Sequence, residues 1–175
     1  MPERILVIKG DIALQKVDAI VNAANNSLLG GSGVDRSIHR AAGPSLLDEC
    51  KKLGGCPTGE AKITGGRNLP AKWIIHTVGP VWDGGNYGED EILARCYKNC
   101  LALVDQYGIK TIAFPSISTG VFRFPLERAS KIALREINAF LEGNISLEEV
   151  VIVCFNDISY QCYLKSFAEI HSINH

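Results

Sequence analysis

Six short runs of aliphatic and β-branched residues alternate with stretches of helical periodicity, and that alternation restricts the chain to an α/β layered architecture. The runs are Arg4–Lys9, Ala19–Ala23, Ala61–Thr64, Trp73–Thr77, Thr111–Phe114 and Val150–Cys154. Between and after them, apolar residues recur every three or four positions. Ile92, Leu93, Cys96, Cys100, Leu101 and Val104 make one stripe, which the sequence ends at Gly108. Ala129, Ile132, Ala133, Ile137 and Phe140 make another, stopped by Gly143-Asn144. Tyr160, Tyr163, Leu164, Phe167 and Ile170 make a third. An earlier helix is expected over Val34–Ala42, starting directly from a glycine cluster. No linker, low-complexity stretch or internal repeat divides the 175 residues, so one domain spanning 1–175 is expected.

Charge and cysteine usage exclude several classes of function. With a formal net charge of −1 the chain has no bulk attraction for nucleic acid or anionic membrane, and basic residues do not interleave with aromatic ones. An anionic ligand has to be captured locally. No run reaches the length of a membrane span, and the first residues lack a signal-peptide pattern, so a cytoplasmic, monomeric protein is expected. The six cysteines are read as reduced thiols, because a core of this size needs no disulfide framework. Cys96 and Cys100 are expected to pack in the core, since no second ligand pair accompanies them; no metal site is assigned.

In open α/β sheets ligands bind beyond the carboxyl ends of the strands, so the segments that follow the runs carry the chemistry. Gly10-Asp11-Ile12, Ala24-Asn25-Asn26, Pro115 to Phe122 and Phe155-Asn156-Asp157 are therefore expected to converge on one face. Gly30-Gly31-Ser32-Gly33 ahead of a helix can present bare main-chain N–H groups to an anion, aided by the positive helix end. Ser116 to Gly120 can do the same from another strand, and two such loops can clamp a diphosphate. Known nucleotide patterns do not fit. Arg36 stands where a dinucleotide-binding fingerprint needs its third glycine, and no Gly-Lys-Ser/Thr occurs.

The string from Val17 to Gly43, containing Asn22-Ala23-Ala24-Asn25-Asn26 and Gly30-Gly31-Ser32-Gly33-Val34-Asp35, resembles the signature of macrodomains of the MacroD type. Thr58-Gly59-Glu60-Ala61, Ile75-His76-Thr77-Val78-Gly79-Pro80 and Ser116-Ile117-Ser118-Thr119-Gly120-Val121-Phe122 extend the resemblance along nearly the whole chain. It implies a three-layer α/β/α sandwich around a mixed six-stranded sheet. It also implies ADP-ribose binding, removal of mono-ADP-ribose from acidic side chains of modified proteins, and deacetylation of O-acetyl-ADP-ribose, without a cofactor. By motif position, Asp11 would accept from the adenine amino group, Ile12 would add backbone contacts, and Phe155 would stack on adenine. Ser32, Gly33, Val34 and Asp35, with Ser118, Thr119, Gly120, Val121 and Phe122, would hold the diphosphate and distal ribose.

Asn25 and Asp35 would flank the scissile bond, Asp35 orienting or deprotonating water. A non-catalytic ADP-ribose reader shares every loop and is the alternative. Asp35 has a second possible role, helix capping, and Asn25 and Asn22 another, satisfying loop backbone. His39 and His76 are read as structural, and His171 and His175 as solvated tail residues. Ser32 and Arg36 depart from the family pattern, which has glycine and a small residue there, so loop geometry turns on the backbone at Ser32.

Overall fold

In a computed structural model, which describes residues 2–172, the six runs form β1 (Ile5–Lys9), β2 (Ala19–Ala23), β3 (Ala61–Gly65), β4 (Trp73–Thr77), β5 (Thr111–Phe114) and β6 (Glu149–Cys154). They pair in one sheet in the order β1-β6-β5-β2-β4-β3. Every neighbour is parallel except β3, which pairs antiparallel with β4 in the register Ile63 opposite Ile75. The interior strands are buried on both faces and read as near-continuous apolar runs, as parallel strands covered by helices must.

Helices cover both faces. Towards one side lie α1 (Val34–Ala42) and α2 (Ser45–Leu53), with the 3-10 turn Ile12–Leu14 crossing from β1 to β2 beside them. Ile12, Ile20, Ile38, Leu46, Cys50 and Ile74 close that core. On the other side α3 (Glu89–Leu101), α4 (Leu126–Glu142) and α5 (Asp157–Ser172) bury Leu93, Cys96, Cys100, Ile137 and Tyr163 against Ile75, Ile112 and Ile152. Each fully buried aliphatic side chain contributes about 1.5–3 kcal/mol, so both layers are held mainly by area removed from water. The result is a three-layer α/β/α sandwich. Among the described residues no helix is long and apolar enough to cross a membrane.

Three expectations are corrected. The helix expected to run to Gly108 stops at Leu101, because Leu103 and Val104 bond back three residues, to Cys100 and Leu101, and tighten the chain into turns. Gly108, at φ 64°, ends those turns rather than the helix, with Ile109 N donating to Val104 O at 2.8 Å. Helix α2 is an addition to the expected elements; Pro44 and left-handed Gly54 clip it to nine residues, too short to show a full apolar stripe. His171 is not solvated. Its Nδ1 lies 2.8 Å from Phe167 O, its Nε2 lies 3.1 Å from Asn138 Oδ1, and its ring packs on Phe167 at 4.1 Å. His175 lies outside the described residues.

Candidate functional site

The carboxyl ends of β1, β6, β5 and β2 open onto a cleft of about 500 Å³, a size suited to a nucleotide-sized ligand. All four segments expected to converge do so there. Asp11 and Ile12 come from the first, Asn25 from the second, Ser118 to Phe122 from the third and Phe155 from the last, while Ser32, Gly33, Val34 and Asp35 enter from the start of α1. No Lys or Arg is among the described lining residues. An anion in the cleft would be held by main-chain N–H groups.

The first loop is built to keep its shape. Asn25 Nδ2 donates to Gly30 O at 2.8 Å, and Ser27 Oγ donates to Asn25 Oδ1 at 2.8 Å. Asn26 clips the loop to its neighbour, Nδ2 donating to Cys56 O while Asn26 O accepts from Cys56 N at 2.8 Å. Leu28, at φ 60°, drives its side chain into the core and anchors the turn. Gly33 has φ 61° and ψ −130°, a backbone setting open essentially to glycine, and leads into α1 with no side-chain cap on the first-turn amides. Ser32 has no left-handed φ, so serine fits without strain. Arg36 is exposed and is not a lining residue.

A tyrosine from α5 and a buried glutamate brace the second loop. Ser116 Oγ lies 2.7 Å from Thr119 Oγ1 and 3.0 Å from Tyr163 OH, and Phe124 N donates to Ser118 O at 2.9 Å. Trp82 N donates to Phe122 O at 2.8 Å while the Trp82 ring packs on Phe124 at 4.8 Å. The segment carrying Trp82 is itself organised by Glu89. Burial pushes this carboxyl up, but N–H bonds from Asp83, Tyr87 and Gly85 outweigh it and hold it at about 2. Ser118 has φ 67° and a buried hydroxyl with no partner among the described residues. It rests directly on Gly79, which has no room for a side chain.

Asp35 dominates the electrostatics. It is 3% exposed, and burial raises its pKa against the lowering effects of the Asn22 hydrogen bond and of nearby His39. Oδ1 accepts from Asn22 Nδ2 at 2.8 Å, and His39 Nε2 lies 3.3 Å away without hydrogen-bond alignment. Oδ2 has no partner. A Cβ built on Gly31 would stand 3.0 Å from that oxygen and 3.2 Å from Asn25 Nδ2, so a side chain there would crowd both groups. Asp35 does not cap α1.

The expectation that Asn22 satisfies loop backbone is corrected: it lies in β2 and bonds Asp35 and His76. Its partners are 13 and 54 residues away, a pairing that local sequence cannot reveal. Asn25 does satisfy its loop, yet one Nδ2 hydrogen and one Oδ1 lone pair remain free to face a ligand. Asp11 Oδ1 accepts from Ala13 N at 2.9 Å, which leaves its other oxygen at the cleft. Cys96 and Cys100 are core residues as expected, and all six cysteines are free thiols. Gly31 and Asn156 line the cleft within their expected segments, while Ser37, Gly79 and Ser159 line it beyond the contacts expected from sequence. For Gly79 a signal exists, in a glycine placed just past the end of a strand.

The fold and this cleft define an α/β/α ligand-binding domain, and comparison with known proteins gives it a family. Residues 21–133 match the model of the Macro domain. The chain is 60% identical over 168 residues to a macro domain-containing protein of Methanosarcina mazei, covering 96% of this chain and 90% of that one. It is 53% identical over 167 residues to a protein of Pantoea vagans named O-acetyl-ADP-ribose deacetylase 1, covering 93% and 98%. A Gly-to-Val variant of the Oceanobacillus iheyensis macrodomain, solved with ADPR, superposes with a TM-score of 0.91 at 43% identity over 95% of this chain and 92% of that one. The chain belongs to the macrodomain family.

Proposed function

We propose that this protein binds ADP-ribose in the cleft and hydrolyses esters at its distal ribose, releasing mono-ADP-ribose from acidic side chains of proteins and acetate from O-acetyl-ADP-ribose. The observation that carries the reading is the unpartnered Asp35 Oδ2, buried beside the first anion loop with the bare Gly31 between it and Asn25. The two braced loops hold the diphosphate through main-chain amides, each charge-assisted bond contributing on the order of 1.5–3 kcal/mol. Asp11 accepts from the adenine amino group, and Phe155 covers the ring.

The distal ribose then lies between Val34–Asp35 and Ser118–Phe122. Asp35 takes a proton from water as the water oxygen attacks the ester carbonyl carbon, and hands that proton to the ribose oxygen as the bond to it breaks, freeing the carboxylic acid and the ribose hydroxyl. A carboxyl whose pKa is raised toward the working pH is a better base than an ordinary one, and such assistance is worth about 10²–10⁴ in rate. The test is incubation with a protein carrying glutamate-linked mono-ADP-ribose and, separately, with O-acetyl-ADP-ribose. Release of ADP-ribose from both is expected. Tight ADP-ribose binding with neither substrate consumed would overturn the hydrolase and leave a reader module, the role favoured by the loop bonds that occupy Asn25.

Phe155 is 79% exposed and Val121 76%, large apolar surfaces left bare at the mouth of the cleft. Stacking a base on an aromatic ring contributes about 1–3 kcal/mol. Phe155→Ala is therefore expected to weaken ADP-ribose binding roughly tenfold or more, with kcat nearly unchanged, as isothermal titration and steady-state kinetics will read.

A further inference from the structure

Behind Asp35, away from the cleft, runs a chain of buried polar groups that the mechanism above does not use. Asn22 Nδ2 is 2.8 Å from Asp35 Oδ1 and 3.1 Å from His76 Nδ1; His76 Nε2 is 2.8 Å from Thr64 Oγ1. The four residues stand on α1, β2, β4 and β3, each nearly inaccessible to water. With Asp35 ionised, proton rules determine every role. An ionised carboxylate only accepts, so Asn22 has to present its NH₂ to Asp35. Its second hydrogen points to His76, so Nδ1 must offer a lone pair. The neutral ring then carries its proton on Nε2 and donates to Thr64 Oγ1. The arrangement leaves Asn22 Oδ1 without a partner.

A second setting reverses every bond. With Asp35 protonated, the Asn22 amide flips and accepts from the carboxyl O–H and from Nδ1–H, and the Thr64 hydroxyl donates to Nε2. The side-chain protonation of Asp35 and the tautomer of His76 are therefore one linked choice. The other titratable groups facing the chain are His39, beside Asp35 Oδ1, and Cys50, whose Sγ is 3.9 Å from His76 Nε2. Burial, then the neighbouring His39, pushes His76 down to about 3, so a charged imidazolium plays no part at neutral pH.

We propose that Thr64 and His76 are positioning residues: by fixing the Nε2–H tautomer they hold the Asn22 amide, and through it Asp35, in the ionised setting with Oδ2 turned to the cleft. The proposal rests on Asp35 being the base, but its geometry does not. Removing the Thr64 acceptor orphans the buried Nε2–H, which is costlier than orphaning a lone pair, and so favours the reversed setting.

The test starts with ¹H–¹⁵N spectra of the imidazole nitrogens in the full chain at neutral pH. His76 is expected as the Nε2–H tautomer, and an Nδ1–H tautomer in the unaltered protein would overturn the proposal. Thr64→Val is expected to raise the Nδ1–H population and to move the acid limb of the kcat profile up by about one pH unit with KM unchanged. Thr64→Ser, which keeps the hydroxyl, is expected to restore both. A tautomer change that leaves the acid limb in place would refute the link. Should the protein prove to be a reader without turnover, the Asp35 carboxyl titration followed by its ¹³C shift replaces the kinetic profile: a titration raised in Thr64→Val supports the proposal, and an unmoved one refutes it. Were Thr64→Val not to fold, Thr64→Ala read in the same way would take its place.

Discussion

Asp35→Asn is expected to lower kcat on O-acetyl-ADP-ribose and on ester-linked protein substrates by about 10²–10⁴ while leaving ADP-ribose affinity within a few-fold. The asparagine carbonyl keeps the Asn22 bond and the shape of the first turn but cannot accept a proton from water. The same change is expected to raise Tm. Burial raises the folded pKa of Asp35 above its unfolded value, so its contribution to stability is full below the unfolded pKa and is lost as pH rises through the folded one. At neutral pH the ionised carboxylate is therefore a cost to folding. An amide removes that cost, and in a domain of this length each 1 kcal/mol relieved corresponds to about 2–4 °C. Greater stability with lost turnover marks a group kept for chemistry rather than for folding. Unchanged kcat with unchanged Tm would leave Asp35 neither role.

Gly79→Ala is expected to cripple binding from a position that adds no catalytic group. Its Cβ would overlap the Ser118 hydroxyl and come within 2.8 Å of Ile117 Cγ2, both on the second loop. Ile117 is fully buried and Ser118 already sits in a left-handed setting, so the loop has little freedom to yield in place. The added methyl should cost about 1–3 kcal/mol of stability and displace the amides of Ser118 to Gly120, weakening ADP-ribose binding at least tenfold. Adding Ser118→Gly removes the overlapping hydroxyl and the strained φ together, so the double variant should recover much of both losses. A double-mutant cycle in melting temperature and Kd reads the coupling directly, and simple additivity would show that the two residues do not press on each other.

The layer architecture is legible in the sequence because strands buried on both faces leave short aliphatic runs, and Ala19–Ala23, Trp73–Thr77 and Thr111–Phe114 are found at the expected bounds. The cleft is legible because its loops are main-chain devices, and main-chain devices show themselves as glycine, serine and asparagine at strand ends. What pairs across the sheet is not legible. Asn22 resembles one more loop asparagine, and only the parallel register of β2 with β4 sets it opposite His76 and within reach of Asp35. His171 reads as exposed because it lies near the end of the chain, yet it docks on Asn138 of α4. Helix α2 escapes a periodicity search because two fully buried residues, Leu46 and Cys50, are all the apolar pattern it needs. Long-range partners of polar residues, rather than the positions of elements, are what the third dimension adds.

On the proposed reading, a cleft with no lysine or arginine among its described lining residues grips a diphosphate through the amides of its two loops. Isothermal titration of the protein with ADP-ribose and, in parallel, with adenosine isolates that grip. ADP-ribose is expected to bind in the micromolar range, with adenosine weaker by at least about two orders of magnitude because it lacks the diphosphate. Equal affinities, or no heat and no melting shift with ADP-ribose, would show that the amide grip does not exist.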